Sequence, residues 1–402
     1  MLHVIPSHQG RPSDDPIFAL NKEATERKAR GESVVNATVG ALLGDDGKLS
    51  ILPTAARVVH EVSPEEWATY APIAGSPDFL GAVIDDLFAN EPEMKACATG
   101  AATPGGTGAL RHAIANYLEP HHALLTTSYF WGPYQTLCDE AERKISTFNM
   151  FDAKGGLDVG ALDQAIARHL AEQKRVLLFL NDPCQNPTGY SMRPEEWRAV
   201  VECLLKHAAE GPITLLVDMA YFAYGAAKEP RAFLAELRPL LGKLGLLFAW
   251  SASKTYTHYG LRVGALIACE PDPAARASTH AALSYSCRGT WSNCTRGGMR
   301  AITRLLKEPA LRDACDAERA ELKKLLDARV AAFNVHAAKA NLTYPRYEGG
   351  FFVTVFADDA MERAVRMKES GVFVVPAKTS LRVALCSVAE KDVERLVAAL
   401  AK

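Results

Sequence analysis

Two hydrophobic rhythms divide the chain. Short unbroken apolar runs, Val176–Leu180, the stretch before Asp218 and Leu246–Ala249, have the length and composition of strands buried on both faces. Between the first two lies MRPEEWRAVVECLLKHAAEG, which places Trp197, Val200, Val201, Leu204 and Leu205 on one helical face, with Pro194 in its first turn and Glu195 and Glu196 complementing the helix dipole. Strand, helix and strand in this order predict a parallel crossover. The same 3.6-residue period appears after Gly108 (Leu110, Ile114, Leu118), near 161–171 and through 299–340. A further helix is expected from Asp14-Asp15-Pro16 to Gly31, and an extended run with Gly40 inside it leads to a turn at Gly44–Gly47. LLTTSYFWGPYQ reads as a strand and a turn, and another strand ends at Phe151-Asp152. Near the end, YEGGFFVTVF, SGVFVVP and a strand opened by Arg382 suggest a small α+β unit.

Composition narrows the class. With 402 residues, 48% of them hydrophobic and 23% charged, the chain suits a large globular domain and a smaller one. Its 45 basic and 47 acidic residues give a formal net charge of -2, which argues against a nucleic-acid or anionic-membrane partner. Nine scattered cysteines without a C-x-x-C pair indicate free thiols and no metal site, consistent with a cytoplasmic location. No run is long enough to cross a bilayer, and the first residues have no leader-peptide pattern.

The densest candidate chemistry lies in FAWSASKTYTHYGLRVGALIAC, residues 248–269. Lys254 falls between two apolar runs, where poor solvation would favour the neutral amine that attacks an aldehyde. Ser251, Ser253 and Arg262 are the groups expected around a phosphate. An amine beside a phosphate cradle points to pyridoxal 5'-phosphate. Gly105, Gly106 and Gly108 enter a helix, a second place for an anion. NDPCQNPTGY opens from the carboxyl end of an apolar strand, where open α/β sheets bind ligands. Asp218, at another strand end, requires a cationic or donor partner. Taken singly, each fragment also suits an ordinary turn, cap or bend.

Together, N-D-P-C-Q-N-P-T-G, D-x-A-Y, S-A-S-K and the arginine eight residues after the lysine resemble the signatures of class I aminotransferases, in the aspartate and aromatic amino acid subgroup. The resemblance runs from about Asp14 to the C-terminus. It implies fold type I: a large domain with a mostly parallel seven-stranded sheet over residues 57–300, a small domain drawn from 1–56 and 301–402, and a homodimer with shared active sites. By the same resemblance, Lys254 carries the cofactor and Asp218 faces the pyridine nitrogen. Asn186 and Tyr221 would meet O3', and Trp131 would stack on the ring. Gly106, Thr107, Ser251, Ser253 and Arg262 would hold the phosphate, joined by Tyr70 from the neighbouring subunit. Gly40, Trp131, Asn186, Phe352 and Arg382 would meet the substrate, Arg382 through its α-carboxylate, and Arg288 would reach a distal carboxylate across the dimer interface. The chain departs from the aspartate type in three places. Gly105 stands where serine is frequent, Tyr134 replaces a histidine that supports the ring-nitrogen aspartate, and Asp182 replaces the neighbour commonly found before the proline, with no evident consequence.

The activity implied is ping-pong transfer of an amino group from aspartate or an aromatic amino acid to a 2-oxo acid, 2-oxoglutarate in the first instance. A lyase or decarboxylase on the same scaffold would use the same lysine and aspartate. A non-catalytic regulator built on this domain would carry a basic helix-turn-helix extension, and none precedes Asp14.

Overall fold

The computed structural model describes residues 3–12 and 16–402. The expected cap at Asp14 and Asp15 lies outside the described residues; the helix it would begin spans Pro16–Ala29, and Gly31 follows with φ +87°. The chain divides into two compact units. One comprises Ser50–Asp327 and Pro345–Gly350, the other Met1–Leu49, Ala328–Tyr344 and Phe351–Lys402. The expected divisions at 56/57 and 300/301 differ from this mainly at the second boundary. The segment at Pro345–Gly350 also belongs with the large unit, where Gly350 N donates to Tyr224 O at 3.0 Å.

Seven strands build the large unit: β1 (Ala98–Thr103), β2 (Ala123–Thr127), β3 (Lys144–Phe148), β4 (Val176–Asn181), β5 (Ile213–Asp218), β6 (Gly245–Ser251) and β7 (Gly264–Cys269). Their order is β1-β7-β6-β5-β4-β2-β3. All neighbours are parallel except β7, which is antiparallel to β1 and β6. The seven-stranded, mostly parallel sheet of a fold type I α/β protein is therefore present. Strand periodicity explains the unbroken apolar runs. Val176, Leu178 and Leu180 join a core with Trp197, Val200 and Phe248, while Leu177 and Phe179 join one with Leu110, Ile114 and Tyr134. Each such side chain removed from water contributes about 1.5–3 kcal/mol.

Helices 105–117, 159–173 and 194–207 form where the 3.6-residue period lies. Other elements differ from expectation. The strand expected to end at Phe151-Asp152 stops at Phe148, and Phe151 makes only an isolated bridge to Leu157. The region 299–340 divides into helices Arg296–Lys307 and Pro309–Lys339, because Pro309 has no N–H to continue the first and is preset to start the second.

In the small unit, Phe352–Phe356, Ser380–Ala384 and Val375–Ala377 form a three-stranded antiparallel sheet, with Arg382 opposite Thr354 in the middle of its strand rather than at its opening. Of the expected extended run before Gly44, only Val35–Asn36 is a strand, paired in parallel with Val372–Phe373.

Candidate active site

β4, β5 and β6 end side by side, and their last residues carry the site. Asn181 and Asp218 are register partners at the ends of β4 and β5, and Ser251 ends β6. The chain then makes one helical turn, Ala252–Thr255, which carries Lys254, rather than an open loop. A cavity of ≈ 190 Å³ collects these ends, lined by Asp218, Tyr221, Lys254 and Arg262 with Trp131 and Asn186 among others.

One end of the cavity suits an anion. The helix Gly105–Tyr117 starts there, with Gly106 and Thr107 in the wall, so unsatisfied N–H groups and the positive dipole end face inward. Ser251 and Ser253 are buried and joined Oγ to Oγ at 3.1 Å. Arg262 closes the group, its Nη1 donating to Ser253 Oγ at 3.3 Å and to Tyr259 O at 2.9 Å, and its Nη2 to Pro104 O at 3.2 Å. Gly105 is required here: its φ is +70°, and a Cβ would stand 2.4 Å from Arg262 Nη2. The serine frequent in relatives has no room in this chain unless the arginine moves.

The other end holds Asp218, 5% exposed. Tyr134 Oη donates to its Oδ2 at 2.7 Å and Ala220 N to its Oδ1 at 3.2 Å. Burial raises the Asp218 carboxyl above the usual range, while those two donors and the Lys254 charge act in the opposite direction. Tyr134 thus fills the supporting place left open by the missing histidine. Burial, then the Asp218 charge, hold its hydroxyl well above the ordinary tyrosine value, so it remains a donor.

Between the two ends, Lys254 Nζ lies 5.1 Å from the centre of the Tyr221 ring, and Asn186 Nδ2 donates to Tyr221 Oη at 3.4 Å. Asn186 Oδ1 is buried without a hydrogen-bond partner among the described residues. An orphaned polar atom and an amine in one cavity wall, together with an anion cradle and a buried carboxylate, fit pyridoxal 5'-phosphate, which has a phosphate, an aldehyde, a phenolic oxygen and a basic ring nitrogen.

Sequence reasoning missed Asn181. Its Nδ2 donates to Asp218 O at 2.7 Å and its Oδ1 accepts from Asn186 N at 2.7 Å, tying the signature loop to the neighbouring strand end. Asp182, thought to be without consequence, is 2% exposed and accepts from Met192 N at 2.8 Å and Trp197 Nε1 at 3.0 Å.

The structure does not bring every expected residue into this cavity. Tyr70 is 85% exposed, and Arg288 is exposed with Nη1 donating to Ser292 Oγ at 2.8 Å; neither lines it. Gly40, Phe352 and Arg382 meet in the small unit. The Arg382 guanidinium lies 4.9 Å from the Phe352 ring centre and donates to Thr38 O at 2.6 Å. A Cβ on Gly40 would stand 2.3 Å from Phe352 Cζ, so packing alone already calls for glycine there.

Known proteins resemble the chain over nearly its whole length. The chain is 26% identical to an aspartate aminotransferase of Pseudomonas aeruginosa, covering 96% of each. It is 28% identical to an aromatic-amino-acid aminotransferase of the same organism, over 98% of this chain and 97% of the relative. The crystal structure of an aminotransferase from Anaerococcus prevotii superposes with a TM-score of 0.94 at 32% identity, covering 100% of this chain and 99% of that one. The family profile described as aminotransferase class I and II matches residues 32–400, and the chain belongs to that family of pyridoxal-phosphate enzymes.

Proposed function

We propose that this aminotransferase moves the amino group of an aspartate-like or aromatic L-amino acid to a 2-oxo acid, 2-oxoglutarate foremost, by a ping-pong mechanism. The observation that carries the reading is the convergence of Lys254, Asp218, Asn186 and Arg262 on one cavity. The aspartate and aromatic relatives support the donor class.

Pyridoxal phosphate supplies an electron-withdrawing ring that makes the substrate's Cα proton acidic. Lys254 Nζ would hold the group covalently at rest and, when free, would serve as the base that takes the proton from the substrate's Cα and then as the acid that delivers the same proton to the cofactor carbon that receives the amino group. Asp218 keeps the ring nitrogen protonated, and Asn186 and Tyr221 orient O3'. Gly106, Thr107, Ser251, Ser253 and Arg262 bind the phosphate, and Trp131 offers the flat apolar face for stacking. Arg382 takes the α-carboxylate with Gly40 and Phe352 beside it.

Homodimerisation, with Tyr70 reaching the neighbouring phosphate and Arg288 the distal carboxylate, is supported by the family resemblance, and both residues are exposed in a single chain. A cytoplasmic location is supported by nine cysteines, all buried and free. Among the described residues no helix is long and apolar enough to cross a membrane.

Lys254→Ala should lower turnover by about 10⁴-fold or more and abolish the visible absorbance of the lysine-bound cofactor; near-normal transamination by this variant would overturn the reading. Formation of ammonia and a 2-oxo acid without an acceptor would favour the lyase alternative.

A further inference from the structure

Four residues make a poor helix. The turn Ala252–Thr255 gains few internal bonds for the backbone it fixes, and its last carbonyl groups have no partner further along a helix. The segment itself supplies Tyr256 N to Ala252 O at 3.0 Å and Thr257 N to Lys254 O at 3.1 Å. Two side chains remote in sequence complete the end: Tyr224 Oη donates to Lys254 O at 3.2 Å, and Arg319 Nε donates to Thr255 O at 2.7 Å. Tyr224 is buried and closes the short helical segment Phe222–Tyr224 that follows Tyr221, its N donating to Tyr221 O at 2.9 Å. Arg319 belongs to the helix Pro309–Lys339. Its Nη1 meets Asp316 Oδ1 at 2.6 Å and its guanidinium lies 5.2 Å from the centre of the Tyr256 ring, so a positive charge stands at the carboxyl end of the lysine turn. Neither side chain is in the cavity wall, whereas Lys254 is. Both therefore act on a bound group through the backbone of the turn.

We propose that Tyr224 and Arg319 are positioning residues for Lys254: by holding the last two carbonyl oxygens of its turn, they fix where the lysine Cα stands and hence where Nζ meets the cofactor aldehyde. The inference rests on the pyridoxal-phosphate reading of the cavity. Loss of either donor should show in the step that needs the amine, in which Lys254 Nζ adds to the aldehyde carbon, a C=N bond forms and water leaves. The contacts of Arg262, Asn186 and Asp218 come from other elements and should be spared.

Pyridoxine 5'-phosphate has an alcohol in place of the aldehyde, so it fills the same cavity and cannot bond to the lysine. Dissociation constants are measured on the cofactor-stripped full chain, for pyridoxal phosphate by the visible absorbance of the lysine-bound form and for pyridoxine phosphate by tryptophan fluorescence. Tyr224→Phe, which removes one hydroxyl and keeps the ring, should weaken pyridoxal phosphate about fivefold and pyridoxine phosphate by less than about twofold. Arg319→Gln should weaken pyridoxal phosphate about tenfold or more, the value of a hydrogen bond from a charged group, again with pyridoxine phosphate nearly unchanged. Arg319→Lys retains the charge and a donor, keeps the test open should the glutamine variant not fold, and should weaken pyridoxal phosphate by about threefold. Equal weakening of the two ligands, or no weakening of pyridoxal phosphate, overturns the positioning role of the residue changed. A wild type that develops no visible absorbance with pyridoxal phosphate overturns the Lys254 assignment itself, a distinct result that removes the reading beneath the proposal.

Discussion

Asp182 shows what burial does to one side chain in the signature loop. Removal from water raises its carboxyl to about 7, against the pull of the Met192 amide and the Trp197 indole. A raised acid binds its proton more tightly in the folded state than in the unfolded one. Its contribution is therefore complete below the unfolded value near 4 and is lost as pH rises through about 7. The span corresponds to at most on the order of 4 kcal/mol. Asp182→Asn cannot accept from both donors, so it should be less stable than wild type at pH 5, and the gap should narrow towards pH 7.5. Thermal unfolding of both proteins across that range checks the sign, and a gap that widens with pH would contradict it. Glu196 behaves oppositely. Burial raises it, yet the Tyr190 hydroxyl, the Arg193 amide and Arg346, whose Nη2 is 2.5 Å away, hold it below the usual carboxylate range. Glu196→Ala should destabilise by about 1.5–3 kcal/mol, the range of a hydrogen bond to a charged group, since Arg346 loses its closest carboxylate and keeps Glu348 at 3.6 Å, and denaturant titration would read this as a lower midpoint.

At the scale of elements, the phosphate cradle depends on close approaches at three glycines, one to backbone and two to side chains. A Cβ on Gly264, the first residue of β7, would stand 2.5 Å from Gly105 C, and one on Gly105 would stand 2.4 Å from Arg262 Nη2. A Cβ on Gly108 would stand 2.6 Å from Pro104 Cδ. Gly105→Ser should therefore weaken cofactor phosphate binding at least about tenfold by displacing Arg262, measured as the dissociation constant of pyridoxal phosphate; tighter binding would show that the added hydroxyl outweighs the clash. The strands beneath the site were legible in the sequence because both-sided burial writes unbroken apolar runs, and Asn186, Asp218, Lys254 and Arg262 each follow such a run or close the loop after it, whereas four residues between two runs are too few to announce the helical turn Ala252–Thr255. Tyr134 was visible only as a departure, since its partner Asp218 lies 84 positions away. Asn181 and Asp182 looked like turn residues because an asparagine or aspartate ahead of proline is ordinary in loops. The small unit was harder to bound, because the helix Pro309–Lys339 shows one uninterrupted period while the division between units falls inside it.

At the scale of the whole molecule, the proposed homodimer places residues of two chains in each site. Lys254→Ala and the pair Tyr70→Ala with Arg288→Leu should each be nearly inactive towards dicarboxylic donors. Subunits exchanged between the two should recover about a quarter of wild-type activity, because half the dimers are hybrids and half of their sites carry no change. Sites complete within one chain would give no recovery above the sum of the parents. Arg288→Leu alone should weaken dicarboxylic donors about 10- to 100-fold more than aromatic ones in kcat/KM, as loss of a charge-assisted clamp requires; equal losses would remove the distal role. The covalent bond between Lys254 and the cofactor is the central requirement of the site, and borohydride reduction of the holoenzyme followed by peptide mass mapping tests it most directly. The phosphopyridoxyl mass should appear on the peptide containing Lys254 and be absent after Lys254→Ala, whereas the label on another lysine, or on none, would contradict the assignment.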